Sequence, residues 1–299
     1  MTFDECVRAF LTYCELERAL SPNTLLAYAD DLRRLAALAT AALGSVPDVS
    51  QVDRSLIRRF IAVQRESGLS ISTIQRRVYC LRSFWRFLSD TGLDTRESPL
   101  EGVRLPRKEH RIAAFLGETE MRRILDAAGQ HRTRPWQIRD RAVMATFLFA
   151  GLRRTELTSL RLPDVQLGEG VILVRSGKGK RMRVIPIAMP LRQALQEWLV
   201  LRPSCCHNFV FCNRMRGPMG RHALEHLFGL ALREAGIDRE GVSIHTLRHS
   251  SACALLKGGT NVVAIQQLMG HASLQTTTVY LHVSGEELRA AVAGHVLCV

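Results

Sequence analysis

Apolar residues recur at steps of three and four through the first ninety-odd positions, a spacing that predicts successive amphipathic helices. The segment near Phe3–Leu20 is the first. Ser21-Pro22 then offers an N-cap followed by an N1 proline, after which Leu25, Leu26, Leu32, Leu35 and Leu38 supply an apolar face. Ser50 and Asp53 are alternative caps for a third helix carrying Leu56, Ile57, Phe60 and Ile61. Ser70 opens a fourth, in which Ile71, Ile74, Val78, Leu81, Trp85 and Leu88 follow one another until Gly92 ends it. Residues 1–94 therefore read as a bundle of four helices.

The pattern then changes. Pro99, Pro106 and the run RLPRKEHR from Arg104 to Arg111 break the helical period and read as a charged interdomain connection. Beyond it the periods are mixed. Glu118–Ala128 and Ile138–Ala150 read as helices. Val171–Val174 and Met182–Ile187 read as two strands joined by the glycine-rich turn Arg175–Arg181. Pro190–Leu201 and Arg221–Ala235 return to helix, and four short helices close the chain at His245–Leu256, Val262–Met269, Leu274–His282 and Glu286–Ala293. The expected fold is mostly α with a small β-sheet. A helical domain spans 1–107, a linker 108–113, and a mixed α/β domain 114–299.

Composition narrows the partners. With 46% hydrophobic and 23% charged residues the 299-residue chain is globular rather than disordered. Its most apolar stretch, Ala142–Gly151, is too short to cross a bilayer and no basic-then-apolar leader is present, so a cytoplasmic protein with no membrane partner is expected. The basic residues are 37 arginines and four lysines, and the net charge is +13, which points to a polyanion such as nucleic acid. The charge is uneven: residues 1–107 carry +2 and residues 108–299 carry +11. The eight cysteines read as reduced thiols. Their one cluster, Cys205-Cys206-His207 with Cys212, lacks paired C-x-x-C spacing, so no metal site is expected.

Four segments of the second half carry residues suited to phosphate chemistry. In Gly151-Leu152-Arg153-Arg154-Thr155-Glu156-Leu157 an apolar helix ends at Gly151, Thr155 can cap the next, and Arg153 lies at the junction, where two helix ends can fix its side chain. In Gly177-Lys178-Gly179-Lys180 the glycines let the turn approach a ligand and a lysine can reach a phosphate or a leaving oxygen. In His245-Thr246-Leu247-Arg248-His249 the i, i+3 spacing aims His245 and Arg248 at one spot and Leu247 at the core. Leu268-Met269-Gly270-His271 is followed nine residues later by Tyr280. Singly each segment reads as packing or solvated surface. Together they gather two arginines, two histidines, a lysine and a tyrosine around one phosphate, with neither a carboxylate cluster for Mg²⁺ nor a Walker-type loop. Phosphoryl transfer without a metal needs its charge neutralised by side chains, which paired arginines supply. A tyrosine of ordinary pKa near 10 needs cationic neighbours and a proton acceptor to attack at neutral pH.

In this order and spacing, GLRRTEL, GKGK…RVIPI, HTLRH and LMGH…Tyr resemble the tyrosine recombinase (phage integrase) family over nearly the whole chain. The run from Ser21 to Leu32 resembles that family's helical, SAM-like core-binding domain, and Met269 stands where leucine is usual. The resemblance implies catalytic roles for Arg153, Lys178, His245, Arg248, His271 and the nucleophile Tyr280, with Glu156 orienting the site. Lys180 is a rival for the lysine, although the distance to Pro186 favours Lys178. It further implies double-stranded DNA with recombination core sites as partner. The assembly it implies is a synaptic homotetramer, or a heterotetramer with a sister recombinase, associated with the nucleoid. The cut passes through a 3′-phosphotyrosyl bond that keeps the ester's energy, so no cofactor is expected. The plan resembles Xer proteins, with no separate arm-binding domain and no integron-type insertion. The tail 284–299, with Leu288, Val292 and Val296 at steps of four, is expected to dock on a neighbouring subunit or on its own domain. DNA contacts are expected from Arg76, Arg77, Arg82 and Arg86 in the helical half and from Arg154, Lys180 and Arg181 in the other. Two other readings remain: a catalytically silent architectural DNA-binding protein of the same fold, and a type IB topoisomerase.

Overall fold

The computed structural model describes residues 2–105, 114–130, 132–175 and 182–270. The chain divides into two compact units, Met1–Arg111 and Ile112–Val299.

In the first unit each helix starts where a side-chain acceptor meets otherwise unpaired N–H groups. Helix α1 (Phe3–Leu16) is opened by a Thr2–Glu5 capping box. Ser21 caps α2 (Pro22–Leu43), Asp53 caps α3 (Arg54–Glu66) at 2.8 Å from the Leu56 N–H, and Ser70 caps α4 (Ile71–Asp90). Of the two caps open to α3, Asp53 is used, while Ser50 lies in a separate 3-10 turn. Helix α1 stops four residues before the expected Leu20. Ala19 takes a positive φ of 47°, and the Leu20 N–H turns back to the Cys14 carbonyl at 3.0 Å. The four helices share a core in which Phe3, Phe10 and Phe84 meet edge-on at 5.4 Å beside buried Leu32, Leu35, Ile57 and Leu81.

That unit also corrects one expectation. Asp31 is fully buried on α2, and Arg76 of α4 grips it with two hydrogen bonds at 2.5 and 2.8 Å. Arg77 is buried as well, 3.4 Å from Asp31 and donating to Gln64 Oε1 at 2.8 Å. A buried carboxylate requires such partners. Arg77 therefore belongs to the interior and not to a basic surface stripe, and Arg76 is committed to Asp31 along its inner edge. Arg82 and Arg86 are exposed, and Arg82 also donates to the Val103 carbonyl at 3.0 Å.

The second unit is built around α6 (Trp136–Ala150), which is buried along most of its length, the paired Arg139 and Asp140 included, and packs against α5 (Glu118–Ala127), α8 (Met189–Leu201) and α10 (Ile244–Lys257). Helices α7 (Arg154–Ser159), α9 (Arg221–Glu234) and α11 (Val262–Met269) complete its described helices. The sheet is antiparallel in the order β1 (Val165–Gln166), β2 (Val171–Val174), β3 (Arg183–Pro186). Ile172 pairs with Ile185, and these two with Val174 form its buried face. The two expected strands are present, the second shortened at both ends. The two-residue β1 is too short to leave a period in the sequence. The mostly helical architecture with one small sheet is thus as expected. Among the described residues no helix is long and apolar enough to cross a membrane. The helices expected at Leu274–His282 and Glu286–Ala293 and the tail from 284 lie outside the described residues.

Candidate active site

Two helices end in the same way. Gly151 closes α6 with φ 57° and Gly270 closes α11 with φ 62°, both in the left-handed region where a side chain is strained. At Gly151 the requirement is double, because a Cβ there would lie 2.7 Å from Met269 Cε and 2.8 Å from its sulfur. The two helix ends therefore touch, and each brings unpaired carbonyls to one place.

Arginines take up those carbonyls. Three successive main-chain oxygens at the end of α11 accept from three different side chains. Leu268 accepts from Arg183 Nε at 2.8 Å, Met269 from Arg248 Nη2, and Gly270 from Arg153 Nη2 at 2.7 Å. Arg248 Nη1 also donates to the Gly151 carbonyl, tying the α6 end to the same cluster. Cations at a helix C-terminus complement its partial negative charge.

Glu156 balances the group. Its Oε1 accepts from Arg153 Nη1 at 2.8 Å and Arg183 Nη1 at 2.9 Å. Its Oε2 accepts from Arg183 Nη2 at 2.7 Å and from the Arg153 main-chain N–H at 2.8 Å. Arg248 Nη1 lies 3.9 Å from Oε2. Burial alone would raise the Glu156 pKa, but the hydrogen bonds and charge of Arg183 and Arg153 outweigh it and hold the carboxyl at about 2. The Arg153 N–H bond is also the cap of α7: Arg153 is the N-cap and Thr155 lies inside the helix, a correction to the cap expected at Thr155.

Helix α10 presents the next pair. Leu247 is fully buried, Arg248 is 6% exposed and its guanidinium reaches the cluster, while His245 is exposed one turn earlier. The residue is exposed, yet the atoms packed around the ring partly desolvate it, and this, then the positive charges of Arg154, Arg248 and Arg221, pushes the His245 imidazole below its ordinary 6.5. Arg154 donates to Glu225 at 2.9 Å, and Arg221 reaches the same oxygen at 2.8 Å, so Arg154 is half-tethered beside His245.

The structure thus brings together Arg153, Glu156 and Arg248 and sets His245 on the same helix as Arg248. Lys178, Lys180, Arg181, His271 and Tyr280 lie outside the described residues. Gly270, which immediately precedes His271, is part of the cluster. One member escaped the sequence reading: Arg183. The signal was present, since alternation along β3 puts it on the same face as the buried Ile185. A charged residue in register with the core needs a partner, which here is Glu156.

Comparison with known proteins gives consistent matches. The phage integrase family matches residues 114–287, and the phage integrase N-terminal SAM-like domain matches 7–92. Tyrosine recombinase XerC of Pelobacter propionicus is 35% identical over 285 residues, covering 95% of this chain and 92% of that protein. Tyrosine recombinase XerD of Listeria monocytogenes is 31% identical, covering 96% of each. Among solved structures, the XerA recombinase aligns over 98% of this chain and 99% of its own, with a TM-score of 0.55 and 26% identity. The Tn1549 transposon integrase, solved with a circular intermediate DNA, shares the fold with a TM-score of 0.77 at 20% identity. That alignment covers 96% of this chain and 98% of the integrase chain.

Proposed function

This chain belongs to the phage integrase family and is a tyrosine-type site-specific recombinase, and from that premise we propose how its own residues divide the work on DNA. Tyr280 Oη attacks the scissile phosphorus and forms the 3′-phosphotyrosyl bond as the bond from phosphorus to the 5′ oxygen breaks. Lys178 gives its proton to that leaving oxygen, and His245 accepts the tyrosine proton. Arg153, Arg248 and His271 carry the extra negative charge of the five-coordinate transition state. In the second step a 5′-hydroxyl from the partner duplex attacks the same phosphorus and returns the electrons to Tyr280. One phosphodiester is exchanged for another, and the balance calls for neither nucleotide nor metal.

The observation that carries this reading is the arginine cluster at the end of α11. Arg153 and Arg248 are anchored on adjacent carbonyls, and their charge is only partly offset by Glu156. A pre-set pair of guanidiniums costs little reorganisation when a phosphate arrives. The depressed pKa of His245 keeps its imidazole neutral at pH 7 and able to take a proton.

The reading extends to the assembly and its place. Four copies, of this chain alone or alternating with a sister recombinase, act on two duplexes in the nucleoid. Residues 1–107, 108–113 and 114–299 serve as core-binding domain, linker and catalytic domain. Arg82 and Arg86, with Arg154, Lys180 and Arg181, meet DNA phosphates. The test is covalent capture. A pool of nicked duplexes is enriched by binding, incubated with the protein and run on a denaturing gel. A protein–DNA adduct on a subset of sequences is the expected result, and no adduct on any duplex that binds tightly overturns the reading.

A further inference from the structure

Arg183 differs from its two neighbours in how completely the protein uses it. Both terminal nitrogens hold the two oxygens of Glu156, Nε holds the Leu268 carbonyl, and the side chain is only 11% exposed. Arg153 is 29% exposed and keeps donor hydrogens for a ligand. Arg183 also reaches three segments at once: its own strand β3, the start of α7 through Glu156, and the end of α11 through Leu268. Gly270 leaves it room, since a Cβ there would lie 3.0 Å from Arg183 Nη1.

Resting on the recombinase reading above, we infer that Arg183 is a positioning residue for strand cleavage. By holding Glu156 in a fixed two-point grip it dictates where the Arg153 guanidinium sits. By holding Leu268 it fixes strand β3 against the end of α11, the last described stretch before His271 in the sequence. It touches no phosphate itself. Without it, Glu156 keeps its charge but can rotate, and Arg153 follows it off the position where transition-state charge develops. An ammonium in the same place keeps the charge but cannot make two parallel bonds to a carboxylate and a third to a carbonyl.

The experiment compares wild type with Arg183→Lys and with the double variant Arg183→Gln, Glu156→Gln, which removes both charges and leaves neither stranded. Each is assayed for binding and single-turnover adduct formation on a nicked duplex selected with the wild-type protein. A second duplex carries a methylphosphonate at the scissile position. Both variants should bind within about threefold of wild type yet cleave the phosphate about 10- to 100-fold more slowly. On the methylphosphonate, whose five-coordinate state carries one negative charge instead of two, less charge needs Arg153 and the deficit should shrink to about threefold or less. Wild-type cleavage rates in Arg183→Lys would overturn the inference, as would equal deficits on both duplexes, which would mark a purely structural role. A wild-type protein that forms no adduct would instead overturn the recombinase reading beneath it.

Discussion

Arg153 donates from Nη2 to the main-chain oxygen of Gly270 at 2.7 Å across 117 residues of sequence. The bond joins the residue that caps α7 to the last position before His271, so the start of α7 and the end of α11 share one contact. Replacing Arg153 with lysine keeps a positive charge but loses the planar fork that spans Glu156 and Gly270. Adduct formation by Arg153→Lys should fall by about 10²- to 10³-fold while DNA affinity changes little. Parallel single-turnover and binding assays check this, and an equal loss in both would show that Arg153 serves only binding.

The carboxylate at the centre gives a stability signature. Glu156 titrates at about 2 against an ordinary 4.5. A group whose pKa falls on folding stabilises the fold above its unfolded value and loses that contribution as pH drops through the folded one. The contribution is roughly 3 kcal/mol at neutral pH. Denaturant titrations at pH 7 should show Glu156→Gln less stable than wild type by about that order. The gap should close between about pH 5 and pH 2. A gap independent of pH would show that the cost comes from the fit of the new amide and not from the missing charge.

His245 gives the complementary signature. Burial and the charges of Arg154, Arg248 and Arg221 lower its pKa, so the neutral imidazole persists below pH 6.5 and the acid limb of the cleavage profile should lie there too. Arg154→Gln removes one of those charges, and the midpoint of the His245 resonance in an NMR titration should move upward. A midpoint unchanged by the substitution would show that Arg154 contributes nothing to the shift.

Arg77 and Arg86 separate interior from surface on a single helix. Arg77→Ala leaves the buried Asp31 with one cation fewer and frees Gln64. It should destabilise the helical unit by about 3 kcal/mol, readable as a lower melting temperature. Arg86→Ala should leave stability within about 0.5 kcal/mol. It should also flatten the dependence of DNA affinity on salt by about one charge. The opposite assignment of effects would restore Arg77 to the surface.

The elements that matched the sequence share a local cause. Ser21-Pro22, Asp53 and Ser70 start helices because each side chain meets N–H groups within three residues of itself, and a stripe of leucines and aromatics then needs one burial face. What escaped was set by distant partners. Thr155 has the composition of a cap, yet the Arg153 N–H is taken by Glu156, whose carboxylate is held there by Arg183 of strand β3. Arg77 looks like surface charge until Asp31, 46 positions earlier, is found buried beside it. Arg183 passed as part of a strand because the carbonyl it holds, that of Leu268, lies 85 residues on. Of the four motifs, those around Arg153 and Arg248 lie within the described residues and meet there, as their side-chain types at fixed local spacing suggested. The supports beneath them depended on how the second unit folds back on itself.

Everything above turns on a covalent bond between Tyr280 and DNA. The direct measurement is to trap the adduct on a nicked duplex, digest protein and DNA, and identify the nucleotide-bearing peptide by mass spectrometry, with Tyr280→Phe run alongside. The expected result is a 3′-phosphate ester on Tyr280, and a Phe variant that binds the same duplex but yields no adduct. A nucleotide on any other residue, or an undiminished adduct in Tyr280→Phe, would contradict it.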